Sequence, residues 1–312
     1  MSDAPPAATH KVLDEKRTIA ARDDFPLAAT IFRPKGAEPD QVVIVTCAMA
    51  VRRGFYEPYA RFLASNGCAV FTFDYRGIGG SLTEPIARSR ATLRDWGEKD
   101  IPAVIDAARA EFPGKKVKLV GHSIGAQLLG MVDNVDQLDA VCTVTAQHGY
   151  WRNYPFLRAV AFAALWYLLV PIITAVLSYF PAKKLRFGED LPKGVARGWG
   201  TFCRSPHYLV TPEGKPAHAG YEAYEGPLRV YCFADDTIAP EPLVAALHRY
   251  FTNTRAEVRH IDPKSVNARS IGHMGFFFPK FKGTLWKEQL EWLTSDVRRA
   301  PADRPAAAAA AV

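Results

Sequence analysis

Ser123 sits in the run Gly121-His122-Ser123-Ile124-Gly125, directly after the apolar stretch "KVKLV". A serine hydroxyl is a weak nucleophile until a base takes its proton, and the base needs an acid to orient it. Residues of the right type lie downstream. Asp235 and Asp236 follow the apolar run "LRVYCFA", and His273 lies between Gly272 and Gly275 in the loop after "AEVRHID". Together they would do acyl transfer: attack on a carbonyl carbon, a covalent intermediate, and release by water. Glycines two before and two after the serine remove side chains that would collide in a tight strand-to-helix turn. The N–H of Ile124, next in the chain, is the natural first donor to a developing oxyanion.

Each residue also has a duller reading. The glycine-rich run is also what an ordinary turn looks like. Either aspartate suits an N-cap of the helix that Pro240 introduces, and His273 suits a structural loop. Two other histidines compete for the role of base. His260 lies inside a strand pattern. His122 neighbours the serine, but alternation along a strand turns successive side chains to opposite sides, so it is expected to point away from the site.

Residues in such roles must be held at one rim, which sets a demand on the elements between them. The chain alternates strand and helix signals. The strand-like runs are "PLAATIFRP", "QVVIVTCA", "CAVFTFDY", "KVKLVGH", "LDAVCTVTAQ", "LRVYCFAD" and "AEVRHID". Helix patterns fall between them, and the described order closes on "LWKEQLEWLTSDVRR". Continuous apolar strands alternating with helices predict a mostly parallel sheet covered on both faces. Ligands then sit beyond the strand C-termini, which is where Ser123, the aspartates and His273 occur.

Bulk properties exclude several classes. The chain has 312 residues, 48% apolar and 23% charged, which suits a folded core rather than disorder. The formal charge of +7 comes without a basic-aromatic stripe, so nucleic acid is not an expected partner. The five cysteines (Cys47, Cys68, Cys142, Cys203, Cys232) include no CxxC pair and read as buried reduced thiols of a cytoplasmic protein. No metal-ligand spacing or dinucleotide fingerprint appears, so neither metal nor cofactor is expected. "MSDAPPAATHKVLDEKR" lacks the apolar core of a signal peptide. Residues 1–10 and the tail 300–312 read as loose and low in complexity.

Four motifs carry a family resemblance: "FDYRGIGGS", "GHSIG", "DDTIAP" and "GHMGFF". In order and spacing they resemble the α/β-hydrolases, closest to the monoacylglycerol-lipase-like and serine-aminopeptidase-like bacterial group. The resemblance implies a Ser123–Asp236–His273 triad, because in that family the acid stands four residues before the proline. It implies Ile124 and Met49 as oxyanion donors, Met49 by alignment through Gly54 and Tyr56. Relatives carry His-Gly there, whereas this chain has Cys47-Ala48-Met49-Ala50, and Cys47 is expected to pack rather than react. It further implies a helical cap, residues 147–226, inserted between the sixth and seventh strands of a core formed by 11–146 and 227–299.

Within that insertion, residues 159–182 carry no charge, a length that could span a bilayer. The expectation is instead two cap helices, 159–170 and 172–180, divided at Pro171, with their apolar face over the pocket. A lid that also touches the inner membrane surface stays open beside it. The substrate this suggests is a small carboxylic ester with an apolar acyl chain. Peptidase, amidase or thioesterase action on the same triad, and a non-catalytic membrane-associated protein, are the alternatives. Glu189, Asp190 and Glu213 are the acids that could hold a substrate amine.

Overall fold

The computed structural model describes residues 10–295. Apart from His10, the loose ends expected at 1–10 and 300–312 lie outside the described residues. Eight strands form one sheet: β1 (Val12–Ala20), β2 (Pro26–Pro34), β3 (Gln41–Thr46), β4 (Cys68–Phe73), β5 (Lys116–His122), β6 (Ala140–Val144), β7 (Leu228–Phe233) and β8 (Ala256–Ile261). Their order is β1-β2-β4-β3-β5-β6-β7-β8. β1, β2 and β4 pair antiparallel, and every pair from β4 to β8 is parallel. This is an α/β fold with a mostly parallel sheet flanked by helices.

Burial follows position in the sheet. β3, β4, β6 and β7 are buried at every residue, which explains why their sequences are unbroken apolar runs. β8 is an exposed edge, and "VLDEKRTIA" in β1 is largely exposed. That charged pattern is why β1 carries no clear strand signal in the sequence. Its nine-residue register against β2 supplies what composition does not.

Helices α1 (Glu57–Ser65) and α2 (Ile101–Glu111) follow β3's and β4's segments, and α3 (Ile124–Gln127) follows β5 at once. Between β6 and β7 the insertion carries α4 (Phe156–Ala164), α5 (Val170–Leu177) and α6 (Lys193–Arg204). α7 (Glu241–His248) joins β7 to β8, and α8 (Leu285–Thr294) closes the described chain. α8 meets α1 through Trp286 against Tyr59 and Phe62.

Two expectations about the insertion need correction. α4 and α5 are not separated at Pro171: a π-helical turn, Leu165–Leu169, joins them into one helix, Phe156–Leu177. Pro171 follows that turn, where the hydrogen-bond register is already shifted and a missing N–H disturbs least. Thr174 Oγ1 donates to Val170 O at 2.7 Å, and Arg197 donates to Pro171 O at 3.3 Å. The apolar residues also do not mainly face inward. A seam of Ala159, Trp166, Val170 and Thr174 packs on the protein, while Phe156, Leu157, Val160, Leu168, Ile172 and Val176 are exposed.

Candidate active site

β5 ends in a turn that the sequence strains on purpose. Ser123 has φ +50° and ψ −118°, outside the ordinary regions for a non-glycine residue. Its neighbours make that conformation fit. A Cβ on Gly121 would lie 2.7 Å from Ala126 Cβ, and one on Gly125 would lie 2.6 Å from Thr46 O. The Ser123 N–H donates to Val144 O at 2.9 Å, so β6 holds the turn. The insertion holds it too: Tyr208 donates to the Gln127 side chain and Tyr221 to the Gln127 carbonyl.

The sheet order sets the remaining geometry. β5 and β7 are two strands apart, about 10 Å at the usual strand spacing. A ring arriving from the loop after β8 bridges that gap. His273 Nε2 lies 2.9 Å from Ser123 Oγ, and His273 Nδ1 lies 2.8 Å from Asp236 Oδ2. A carboxylate only accepts, so Nδ1 carries the proton and Nε2 presents its lone pair to the serine O–H. Ser123 is 8% exposed, and Asp236 is buried. Burial by itself raises the Asp236 pKa. The bond from His273 and the N–H groups of Ala239 and Ile238 outweigh it and hold the carboxyl below its ordinary value.

The two adjacent aspartates do different work. Asp235 does not approach His273's ring. Its carboxylate accepts from Ser270 Oγ at 2.8 Å, Ile271 N at 2.9 Å and Gly272 N at 3.0 Å. It therefore clamps the loop that delivers His273, rather than capping α7 as one sequence reading had it. His260 is exposed on β8 and pairs with Glu241 at 3.2 Å, away from this cluster.

His122 bonds backbone belonging to the site, which the strand-alternation argument does not foresee. Its Nε2 donates to the His273 carbonyl at 2.9 Å. Its Nδ1 then accepts from the Tyr56 hydroxyl at 2.7 Å, and that oxygen accepts from Ala48 N–H at 2.8 Å. Burial pushes the His122 pKa down to about 3, so the ring stays neutral and this sequence of donors is fixed. The path runs from the loop after β3, through the residue before the serine, to the backbone of His273. Nothing in the sequence pairs Tyr56 with His122, since they are 66 residues apart.

The loop after β3 is fixed on several sides. With Ala48 N–H committed to Tyr56, Met49 N–H makes no hydrogen bond among the described residues. Ala50 takes φ +61°, and its carbonyl accepts from Glu189 N–H in the insertion at 2.7 Å. Glu189 also pairs with Arg52 at 2.7 Å. Ile124 is the first residue of α3, so its N–H has no acceptor within the helix. Cys47 is buried, its thiol is 3.2 Å from Phe73 O, and burial pushes its pKa well up. It packs. In "FDYRGIGGS", Asp74 accepts from Arg53 N at 2.7 Å and Gly80 N at 2.9 Å, and the positive φ of Gly79 brings that residue against its carboxylate. That motif is scaffolding for the site.

Residues 42–281 match the model of the alpha/beta hydrolase family. Solved structures with a similar fold include Est1E from Butyrivibrio proteoclasticus with ferulic acid bound, at TM-score 0.59 and 15% identity, covering 89% of this chain and 98% of that one. The esterase EaEST from Exiguobacterium antarcticum gives TM-score 0.58 and 14% identity, covering 90% and 100%. A serine hydrolase without lid from Xanthomonas campestris gives TM-score 0.52 and 14% identity, covering 90% and 96%.

Proposed function

The chain belongs to the alpha/beta hydrolase family, and from that premise we propose that it cleaves carboxylic esters with an apolar acyl group through an acyl-enzyme on Ser123. His273 Nε2 takes the Ser123 proton as Oγ bonds to the ester carbon. The carbonyl oxygen becomes an oxyanion between the N–H groups of Ile124 and Met49. The intermediate collapses, the C–O bond to the alcohol breaks, and His273 returns the proton to the leaving alkoxide. Water then gives a proton to His273, its oxygen bonds to the acyl carbon, and the C–Oγ bond breaks as Ser123 recovers a proton. Asp236 keeps the proton on Nδ1 and offsets the imidazolium charge.

One observation supports this above the others: a continuous Asp236–His273–Ser123 hydrogen-bond path ending on a serine in a strained conformation. Among proteins of similar fold, EaEST is named an esterase, which supports ester hydrolysis as the reaction class. The apolar acyl preference rests on the inward seam of the insertion helix, Ala159, Trp166 and Val170, which Tyr154 and Arg158 fasten to the loop carrying Asp236.

The test is hydrolysis of p-nitrophenyl esters of increasing acyl length, wild type beside Ser123→Ala. The expected result is a kcat/KM that rises from acetyl to longer chains, and a loss of at least about a thousandfold in the variant. A rate unchanged in Ser123→Ala rejects the mechanism. A preference for acetyl over all longer chains rejects the substrate class.

A further inference from the structure

The helix Phe156–Leu177 is long and apolar enough to cross a membrane by length and composition, yet only 17% of its most apolar window is buried. Its outward face includes Leu157 at 81% exposure and Val176 at 75%. Monomers rarely leave so continuous an apolar surface in water. The loop that follows shortly after, Lys183-Lys184-Leu185-Arg186-Phe187, is exposed throughout and mixes cations with two large apolar side chains.

Charge says what kind of surface fits. Residues 151–204 contain eight Lys and Arg and only two acids, Glu189 and Asp190, so a net +6 of the chain's +7 lies there. Glu189 is occupied by Arg52 and Lys183, and Asp190 accepts from the Lys183 backbone N–H. Lys184 and Arg186 form no ion pair among the described residues. A second copy docked face to face would set this charge against itself. An anionic bilayer accepts both features: acyl chains take the apolar face, and headgroups take the cations.

The attachments of the helix decide between lying in a membrane and crossing it. At its start, Arg158 donates to Thr237 O, and Tyr154 donates to Ile238 O at 2.9 Å, in the loop carrying Asp236. Beyond its end, Phe180 pairs with Leu191, and Glu189 N–H bonds Ala50 O in the loop carrying Met49. Both ends are thus tied to the C-terminal rim of one sheet. A crossing helix would need its ends on opposite sides.

We propose that the outward face of Phe156–Leu177 and the loop 183–187 form a docking surface for an anionic phospholipid bilayer, with the helix in the plane of the interface. The rim that bears Ser123 then faces the lipid. The proposal does not depend on catalysis, and Ser123→Ala should dock as the wild type does.

The test is flotation of the full chain with vesicles of phosphatidylcholine alone and with about one third phosphatidylglycerol. The expected result is co-flotation with the anionic vesicles, weakened at high ionic strength and released by alkaline carbonate. Leu168→Gln/Val176→Gln should lower partitioning at least about tenfold. Lys184→Glu/Arg186→Glu should remove the preference for anionic lipid. Both variants change exposed residues, and unchanged thermal melting shows that they fold. No flotation with either vesicle overturns the proposal, as does a dimer in solution that the Leu168/Val176 variant dissociates while vesicles bind neither form. Retention through carbonate overturns the in-plane arrangement.

Discussion

Asp235 and Asp236 are neighbours in the chain, yet one clamps a loop and the other faces an imidazole. Removing the charge of Asp236 leaves His273 free to take the wrong tautomer. Asp236→Asn is expected to lower kcat by several orders of magnitude with little change in KM. Asp235→Asn keeps one acceptor oxygen for the 270–272 backbone and should cost about tenfold or less. Sequence reasoning alone offers Asp235 only as a rival acid or a helix cap, because it does not show the three donors converging on its carboxylate. Equal losses in the two variants, read from steady-state kinetics, would reject the assignment of the acid. At this scale Ser123 was legible because its flanking glycines have a steric reason and His273 because it follows the last strand, while the choice of Asp236 over Asp235 came from the family resemblance. Tyr56, His122 and Glu189 were not, since each acts through contacts distant in sequence.

Elements were readable where burial makes composition uniform. β3, β4, β6 and β7 announce themselves as apolar runs because both faces of each are covered. β1 does not, because an exposed edge strand needs only a partner's backbone. The insertion shows the opposite difficulty. An uncharged run with a proline in its middle reads as two helices burying their apolar faces. It is instead one helix, because a π-turn absorbs the proline and the seam of Ala159, Trp166, Val170 and Thr174 suffices to attach it. Hydropathy reports that a segment avoids water. It does not report whether protein or something else takes water's place.

For the whole molecule, acid sensitivity follows from its buried histidines. Burial pushes His122 down to about 3, and His148 and His248 to about 4. In the unfolded chain each titrates near 6.5. Between those values the unfolded state binds protons that the native state refuses, so stability rises with pH there. It is fully present above about pH 6.5 and lost as pH falls toward 4, by up to roughly 1.4 kcal/mol per pH unit for each ring. The lowered carboxyl of Asp236 acts in a window further down, with its contribution lost only as pH falls below the ordinary Asp range. Calorimetric melting should show Tm dropping steadily from pH 6.5 to 4. A flat Tm over that range would mean these rings are not held neutral.

The central claim is that Ser123 is a nucleophile activated by His273. A fluorophosphonate probe reacts with such a serine and not with an ordinary hydroxyl. Folded wild-type protein, digested and mapped by mass spectrometry after labelling, should carry the phosphonyl group on Ser123. His273→Ala should label far more slowly. Ester hydrolysis that persists while Ser123 stays unmodified would contradict the account.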